Sequence, residues 1–388
     1  TEVETQGYGG RRPLRKIFRI LLLVVFLPVL CCVCFIGNNM HYYSGMKLRT
    51  LVPNQLLLVI ALAGLAGTLF LLLRKADVFV TGKYNRWINL ILLILFAGLY
   101  FVNIILAKEI AFELPWDIMV VRSYAKVVAV KEELGYVTYL SMYSNNIPIS
   151  YILGKLYEIA EKAEGYPYIS DFIWLQVNCA LVSVGGYFTC LTVKKLTDQI
   201  MPVVVTFFLY LVLAGISPWK IAPYTDMYGI VFPVMCAYFY ICYQKETRNV
   251  LKYLYSALAI FSVVIGGMIK PSVYILLIAI IIMEIFELLT DFKRYWKIIL
   301  AEGVLIAGLL LGVKSFQSYM IEEMGLDFNP EVEASWQNYF YMGLNEDTTG
   351  GYNGEDAAIF GEFQTDKSVR NEAALERASE RVKERGVL

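Results

Sequence analysis

Nine apolar runs dominate this sequence, at 20–36, 56–73, 87–107, 172–193, 201–216, 227–243, 254–268, 272–288 and 298–313. Each is close to the roughly 20 residues that a helix needs to cross a bilayer. In hydrocarbon every backbone N–H and C=O must be satisfied within the protein, so runs of this length fold as membrane-spanning helices. The composition agrees: 58% hydrophobic and 18% charged residues, against about 45–50% and about 25% in an ordinary soluble domain. The expected fold is all-α, a polytopic membrane helix bundle of about nine spans in this chain.

Lysine and arginine between the runs set the expected sidedness. Arg11, Arg12, Arg15 and Lys16 precede the first run; Arg74, Lys75, Lys83 and Arg86 follow the second. Lys194 and Lys195 follow the fourth, Lys245, Arg248 and Lys252 the sixth, and Lys293, Arg294 and Lys297 the eighth. Because positive charge is retained on the cytoplasmic side, every second loop is cytoplasmic, and so is the amino terminus. The first run has no small-residue cleavage site after it and is read as a retained span. The organisation expected in a cell membrane is therefore a cytoplasmic leader (1–19), three spans (20–107), an external loop with interface helices (108–171), a six-span bundle (172–313) and an external carboxy-terminal segment (314–388). With no initiating Met and an odd number of spans, the sequence is expected to be part of a longer chain.

Several chemistries are excluded. His41 is the one histidine, which removes paired-histidine metal sites and Ser-His-Asp machinery. Cys31, Cys32, Cys34, Cys179, Cys190, Cys236 and Cys242 lie in apolar runs without zinc-ligand spacing and read as lipid-facing thiols. No Walker A motif is present, and Gly185 and Gly186 sit inside an apolar run, so nucleotide binding is not indicated. A formal net charge of zero gives no overall basic excess for nucleic acid.

What remains is a set of polar residues gathered on the expected external side. In AFELPWDIMVVRSYAKVVAV, Pro115 can open a helix with Asp117 in its first turn, and the spacing of Ile118, Val121, Ala125 and Val128 suits a helix lying in the interface. A second such helix is expected at 147–163, after YLSMYSNNIP. Asp226, preceded by Tyr224 and Thr225, stands before an apolar span in APYTDMYGIVFP. Lys270 separates two apolar runs in GGMIKPSVYILLIAIII, where Pro271 starts a new helix. Each residue has a plain structural reading: Asp117 and Asp226 as helix caps, Arg122, Lys126 and Lys270 as headgroup anchors. Together they supply two carboxylates and several cations at one face of a membrane bundle. That combination suits a lipid-phosphate substrate, with Lys270 gripping phosphate beside a helix amino terminus.

PWDIMVVRSYA, YSNNIPISYILGKL, PYTDMYGIVFPVMCAYFY and GGMIKPSVYILLIAII, in this order and sidedness, resemble the GT-C superfamily of membrane glycosyltransferases. The branch they most resemble is that of protein-mannosyltransferase and aminoarabinose-transferase-like proteins of Gram-positive bacteria. The resemblance covers about two thirds of the chain, from Trp87 onward, and leaves the first two spans without a function. It implies transfer of a sugar from a polyprenyl-phosphate carrier to an acceptor hydroxyl of a cell-envelope glycan, lipid or protein on the external face. Superfamily members hold an acidic residue in the first large external loop, the place of Asp117 here. Many relatives have paired acidic residues there, whereas this chain has Trp116 and Asp117, which leaves a divalent metal an open question and assigns no metal ligand.

In that chemistry phosphate is a good leaving group, so cations that receive its charge do most of the work, and Lys270 and Arg122 are the donor-phosphate candidates. Asp117 is the candidate base, Asp226 and Tyr224 the candidates for binding sugar or acceptor, and one carboxylate opposite a phosphate favours single displacement with inversion. The alternatives are a lipid-carrier glycan polymerase or ligase and a polytopic transporter. The first calls for more arginines than Arg122 alone in 108–171; the second calls for polar groups within spans, where Asn103 and Asn178 are the chief ones. In the tail, NEDTTGGYNGED only loosely follows a calcium-loop spacing and reads as an acceptor-side loop, before a charged amphipathic helix at 368–388.

Overall fold

The computed structural model describes residues 83–384, together with Gly64 and Thr68, apart from 113, 165–169, 346, 349 and 364–365. The leader expected to be cytoplasmic, the first expected span, His41 and the first three cysteines lie outside the described residues, as does almost all of the second span. Cys179, Cys190, Cys236 and Cys242 are buried in the protein and do not face lipid.

Among the described residues there is no strand; the chain is helical. Helix α1 (Lys83–Ile110) illustrates how a membrane helix chooses a face. Leu92, Phe96, Leu99, Asn103 and Ala107 are buried, whereas Leu93, Phe101 and Ile105 are exposed. The buried stripe follows the three- and four-residue spacing of one helix face, and the apolar remainder is left for lipid. After Pro115 come α2 (Asp117–Ala129) and α3 (Ile147–Glu164). Then follow α4 (Ser170–Thr197) and α5 (Ile200–Tyr210), the latter continued by a π-helical turn, Leu211–Gly215. A short turn of helix, Thr225–Gly229, leads into α6 (Val231–Lys245), and α7 (Asn249–Ile269) follows. Helix α8 (Tyr274–Thr290) comes after a 3-10 turn, Pro271–Val273, and α9 (Phe292–Glu323) after α8.

Six of these helical stretches are long and apolar enough to cross a membrane, built on α1, α4, α6, α7, α8 and α9. The apolar helix Ile200–Gly215 is shorter, although the sequence suggested a span at 201–216. The last span also differs from its expected end at 313, because α9 carries Lys314 and runs on to Glu323. No helix breaker intervenes until Gly325, whose φ of 55° is left-handed. There the Leu326 amide donates to the Ile321 carbonyl and the Gly325 amide to Glu322, the paired closure of a glycine-terminated helix.

The elements around Asp117 are bound tightly to the bundle. Helix α2 packs on α3 so closely that a Cβ added at Gly154 would lie 2.6 Å from Val128 Cγ1, so only glycine allows this approach. Helix α3 is in turn fixed to α9: Lys155 pairs with Glu323, and the Tyr151 hydroxyl donates to the same carboxylate at 2.5 Å. The expected interface helix is thus buried along one face, with Ile149 and Leu153 inaccessible. On the far side of the bundle, Lys194 at the end of α4 donates to the side chains of Asn85 and Asn89 on α1.

The described residues from 83 to 334 form one compact unit, and those from 335 to 384 belong to another. The described part of the second unit holds α10 (Trp336–Gly343) and α11 (Lys367–Glu384), with short helical turns between them. Arg370, Ala374 and Ala378 form the buried face of α11. Asp356, the last position of the loosely calcium-like stretch, pairs with Arg381 at 2.6 Å and accepts from Asn345 at 2.8 Å. That carboxylate therefore organises the loop from within the protein.

Candidate functional site

Asp117 is the first residue of α2, and the residue before it, Trp116, adopts φ 62° and ψ −143°. A positive φ at a bulky residue costs about 1–3 kcal/mol and persists where the surrounding structure enforces it. Neither Asp117 nor Asp226 is a helix cap: Trp116 and Tyr224 hold those positions, and neither makes a side-chain cap bond. The exposed Asp117 carboxylate instead accepts a hydrogen bond from Tyr224 Oη at 3.2 Å. Tyr139 stands beside both, and its own hydroxyl accepts from Asn146 Nδ2 at 2.8 Å. Burial pushes the Tyr224 phenol up to about 12, helped by the Asp117 charge. Burial also raises Tyr139 well above the tyrosine range, with Tyr224 and Asp117 adding to it. Both phenols are protonated at neutral pH, as tyrosine is even at its ordinary pKa of about 10, and are available as donors toward the carboxylate.

Beside this cluster lies a cavity of about 520 Å³, within the size range of small-molecule sites. Ile118, Val182, Leu213 and Ile230 give it an apolar wall, and Tyr224, Asp226 and Ser217 supply its polar groups. Leu213 and Ala214, on the π-helical turn that ends the α5 segment, contribute to the lining. Asp117 is placed at this cavity by its chain neighbour Ile118 and by its hydrogen bond from Tyr224.

Lys270 ends α7, directly ahead of Pro271, as the sequence suggested. Its ammonium pairs with Asp226 at 2.7 Å. The close approach depends on Gly229, where an added Cβ would come within 3.0 Å of Lys270 Cβ. Arg122 lies elsewhere. It pairs with Asp171 at 2.9 Å, its guanidinium lies 5.5 Å from the Trp174 ring, and Tyr157 completes the group by donating to Asp171 at 2.8 Å. The five residues singled out from the sequence thus form two contacts, Asp117 with Tyr224 and Asp226 with Lys270, while Arg122 joins α2 to α4.

Sequence reasoning passed over several residues. Tyr139 and Asn146 belong to YLSMYSNNIP, whose density of tyrosine and asparagine ahead of α3 was the available signal. The polar groups read within spans also left out Glu284 and Glu302, both buried. Glu284 accepts from Tyr243 at 3.2 Å and Tyr240 at 3.4 Å, and Glu302 is bonded to Ser256. An acidic residue inside an apolar run was the readable sign. Lys220, in the turn Pro218–Ile221, is the third omission, and it is 1% exposed. Burial draws its pKa below the usual lysine range.

Among the described residues, no group of three or more His, Cys, Asp or Glu side chains is placed to hold a metal ion. Asp117 and Asp226 point their carboxylates at a phenol and an ammonium respectively.

A family model described as "Conserved hypothetical integral membrane protein" matches residues 9–388. No curated protein and no solved structure matches the chain.

Proposed function

This chain belongs to that family of integral membrane proteins, and we propose that it is a glycosyltransferase that moves a sugar from a polyprenyl-phosphate carrier to an acceptor hydroxyl at the external face of the membrane. The observation that carries the reading is the exposed Asp117 carboxylate, held by Tyr224 beside a largely apolar cavity in a membrane helix bundle. An isoprenoid chain suits the apolar wall, and a phosphate ester suits Lys270, which pairs with the cavity-lining Asp226. Resemblance to the GT-C superfamily points the same way.

In the proposed reaction the acceptor oxygen attacks the anomeric carbon, the bond from that carbon to the phosphate oxygen breaks, and the lipid phosphate leaves with the electron pair. Asp117 takes the proton of the attacking hydroxyl. Tyr224 and Tyr139, neutral phenols, orient the carboxylate and any sugar hydroxyl near it. Lys270 receives the charge that develops on the phosphate, exchanging Asp226 for the ligand. Asp226 is then released to bind sugar or acceptor. Arg122, committed to Asp171, has the geometry of a strut that fixes α2, and with it Asp117, against α4. A single displacement of this kind inverts the anomeric centre.

The test is incubation of the purified full chain in detergent with a panel of polyprenyl-phosphate sugars and candidate acceptors. The expected outcome is release of free polyprenyl phosphate with at least one donor. Release with none of a broad panel, by protein shown to be folded, sinks the proposal.

A further inference from the structure

We infer that the buried ammonium of Lys220 makes the cavity selective for anionic over neutral lipid ligands, an inference that rests on the lipid-phosphate reading of the same site. The first observation is its isolation. Lys220 is 1% exposed, and among the described residues the one hydrogen bond of its ammonium is a long one, 3.4 Å to the Ile216 carbonyl. Among the described residues no carboxylate comes within ion-pair distance of it, whereas Lys270 has Asp226 and Arg122 has Asp171. A buried charge without a counterion is costly to keep, and an anion that approaches it recovers part of that cost.

The second observation is where the charge is held. Trp219 and Ala222, on either side of Lys220 in the chain, line the cavity, while Lys220 itself is turned into the protein. Its backbone is pinned: Asn178 Nδ2 donates to the carbonyls of Lys220 and Ala222 at 2.8 and 3.1 Å, and Asn103 Nδ2 to that of Gly215 at 2.8 Å. The backbone that carries the ammonium is therefore held in place, and the side chain is buried behind the cavity wall. It acts on a ligand through the protein and does not have to swing out to touch it.

The third observation is the balance of charge at the cavity. Asp226 lines it and Asp117 stands beside it, so two carboxylates face an incoming phosphate. Lys270 offsets one of them by direct pairing. Lys220, which has no carboxylate partner among the described residues, is the other cation next to the lining. At an effective dielectric of about 20, an unpaired unit charge within about 10 Å of an anion changes its affinity by about an order of magnitude, and a buried charge is little screened by salt.

The experiment measures affinities of the full chain in detergent for farnesyl phosphate, farnesol and inorganic phosphate, along with thermal stability, for the wild type, Lys220→Met and Lys220→Arg. The wild type is expected to prefer farnesyl phosphate to farnesol by about tenfold or more. Lys220→Met should lose most of that preference while melting no lower than the wild type, since a buried charge has been removed; Lys220→Arg should keep the preference. Parallel loss of inorganic phosphate binding in Lys220→Met supports recognition of the phosphate group alone, and loss confined to farnesyl phosphate supports recognition of a lipid headgroup. An unchanged preference in Lys220→Met overturns the inference and leaves the lipid-phosphate reading standing. A wild type that binds farnesol as well as farnesyl phosphate overturns both. Should Lys220→Met fail to fold, Lys220→Gln, which keeps a donor without the charge, is read by the same criteria.

Discussion

Arg122→Met should destabilise the protein by about 2 kcal/mol, a figure set by the pair's position between two limits. The Arg122–Asp171 contact is 2.9 Å, with the arginine side chain 12% and the aspartate 43% exposed. Fully exposed pairs contribute about 0.2–1 kcal/mol, and removing one partner of a buried pair costs about 3–5 kcal/mol. Here solvent reaches the aspartate more than the arginine, and Asp171 retains the hydroxyl of Tyr157 and the indole of Trp174, so the lower half of that interval applies. The assay is equilibrium unfolding in mixed detergent and dodecyl sulfate micelles for Arg122→Met, Asp171→Asn and the double variant. The coupling between the two sites should be about 1–2 kcal/mol, because the double variant leaves no unpaired charge. A coupling below about 0.3 kcal/mol would show that α2 is held by its apolar contacts alone and that Arg122 is not a strut.

Three further predictions concern the site and its sidedness. Tyr224→Phe removes the donor to Asp117 and should lower turnover about tenfold with little change in stability, as read from initial rates and melting temperature. Lys270→Met breaks a pair whose carboxylate is 67% exposed, so stability should change by no more than about 1 kcal/mol. Its affinity for a polyprenyl-phosphate donor should nevertheless fall clearly in a direct binding measurement. In a cysteine-free background, cysteines at Asp117 and Asp226 should react with an impermeant thiol reagent added to intact cells and one at Lys195 should not; the reverse pattern inverts the orientation.

The helices were readable because their causes are local. A run such as 87–107 can be little else than a membrane helix, and the Pro271 start that isolates Lys270 depends on a ring that fixes φ and removes a donor. The glycine-terminated extension of α9 was also written locally, in Gly325, but hydropathy alone placed the end of the span before Lys314. Pairings across the chain were harder. That Tyr224 meets Asp117 across 107 positions, or that Asp171 claims Arg122, depends on how α2, α3 and α4 pack, and no spacing rule encodes it. Each such contact changed the meaning of a residue already noticed: Asp117 and Asp226 were open to a capping role, and the fold gives them a phenol and an ammonium. Glu284 and Glu302 were visible as letters, but their burial against tyrosine and serine is a product of tertiary structure.

The measurement that bears most directly on the account is single-turnover sugar transfer by Asp117→Asn, taken with its affinity for the donor. Asparagine keeps the shape of the side chain and can still accept from Tyr224, but it cannot take a proton. Turnover should therefore fall about 100-fold or more while donor affinity stays close to that of the wild type. Near-normal turnover would remove Asp117 from the chemistry, and with it the mechanism built around that carboxylate.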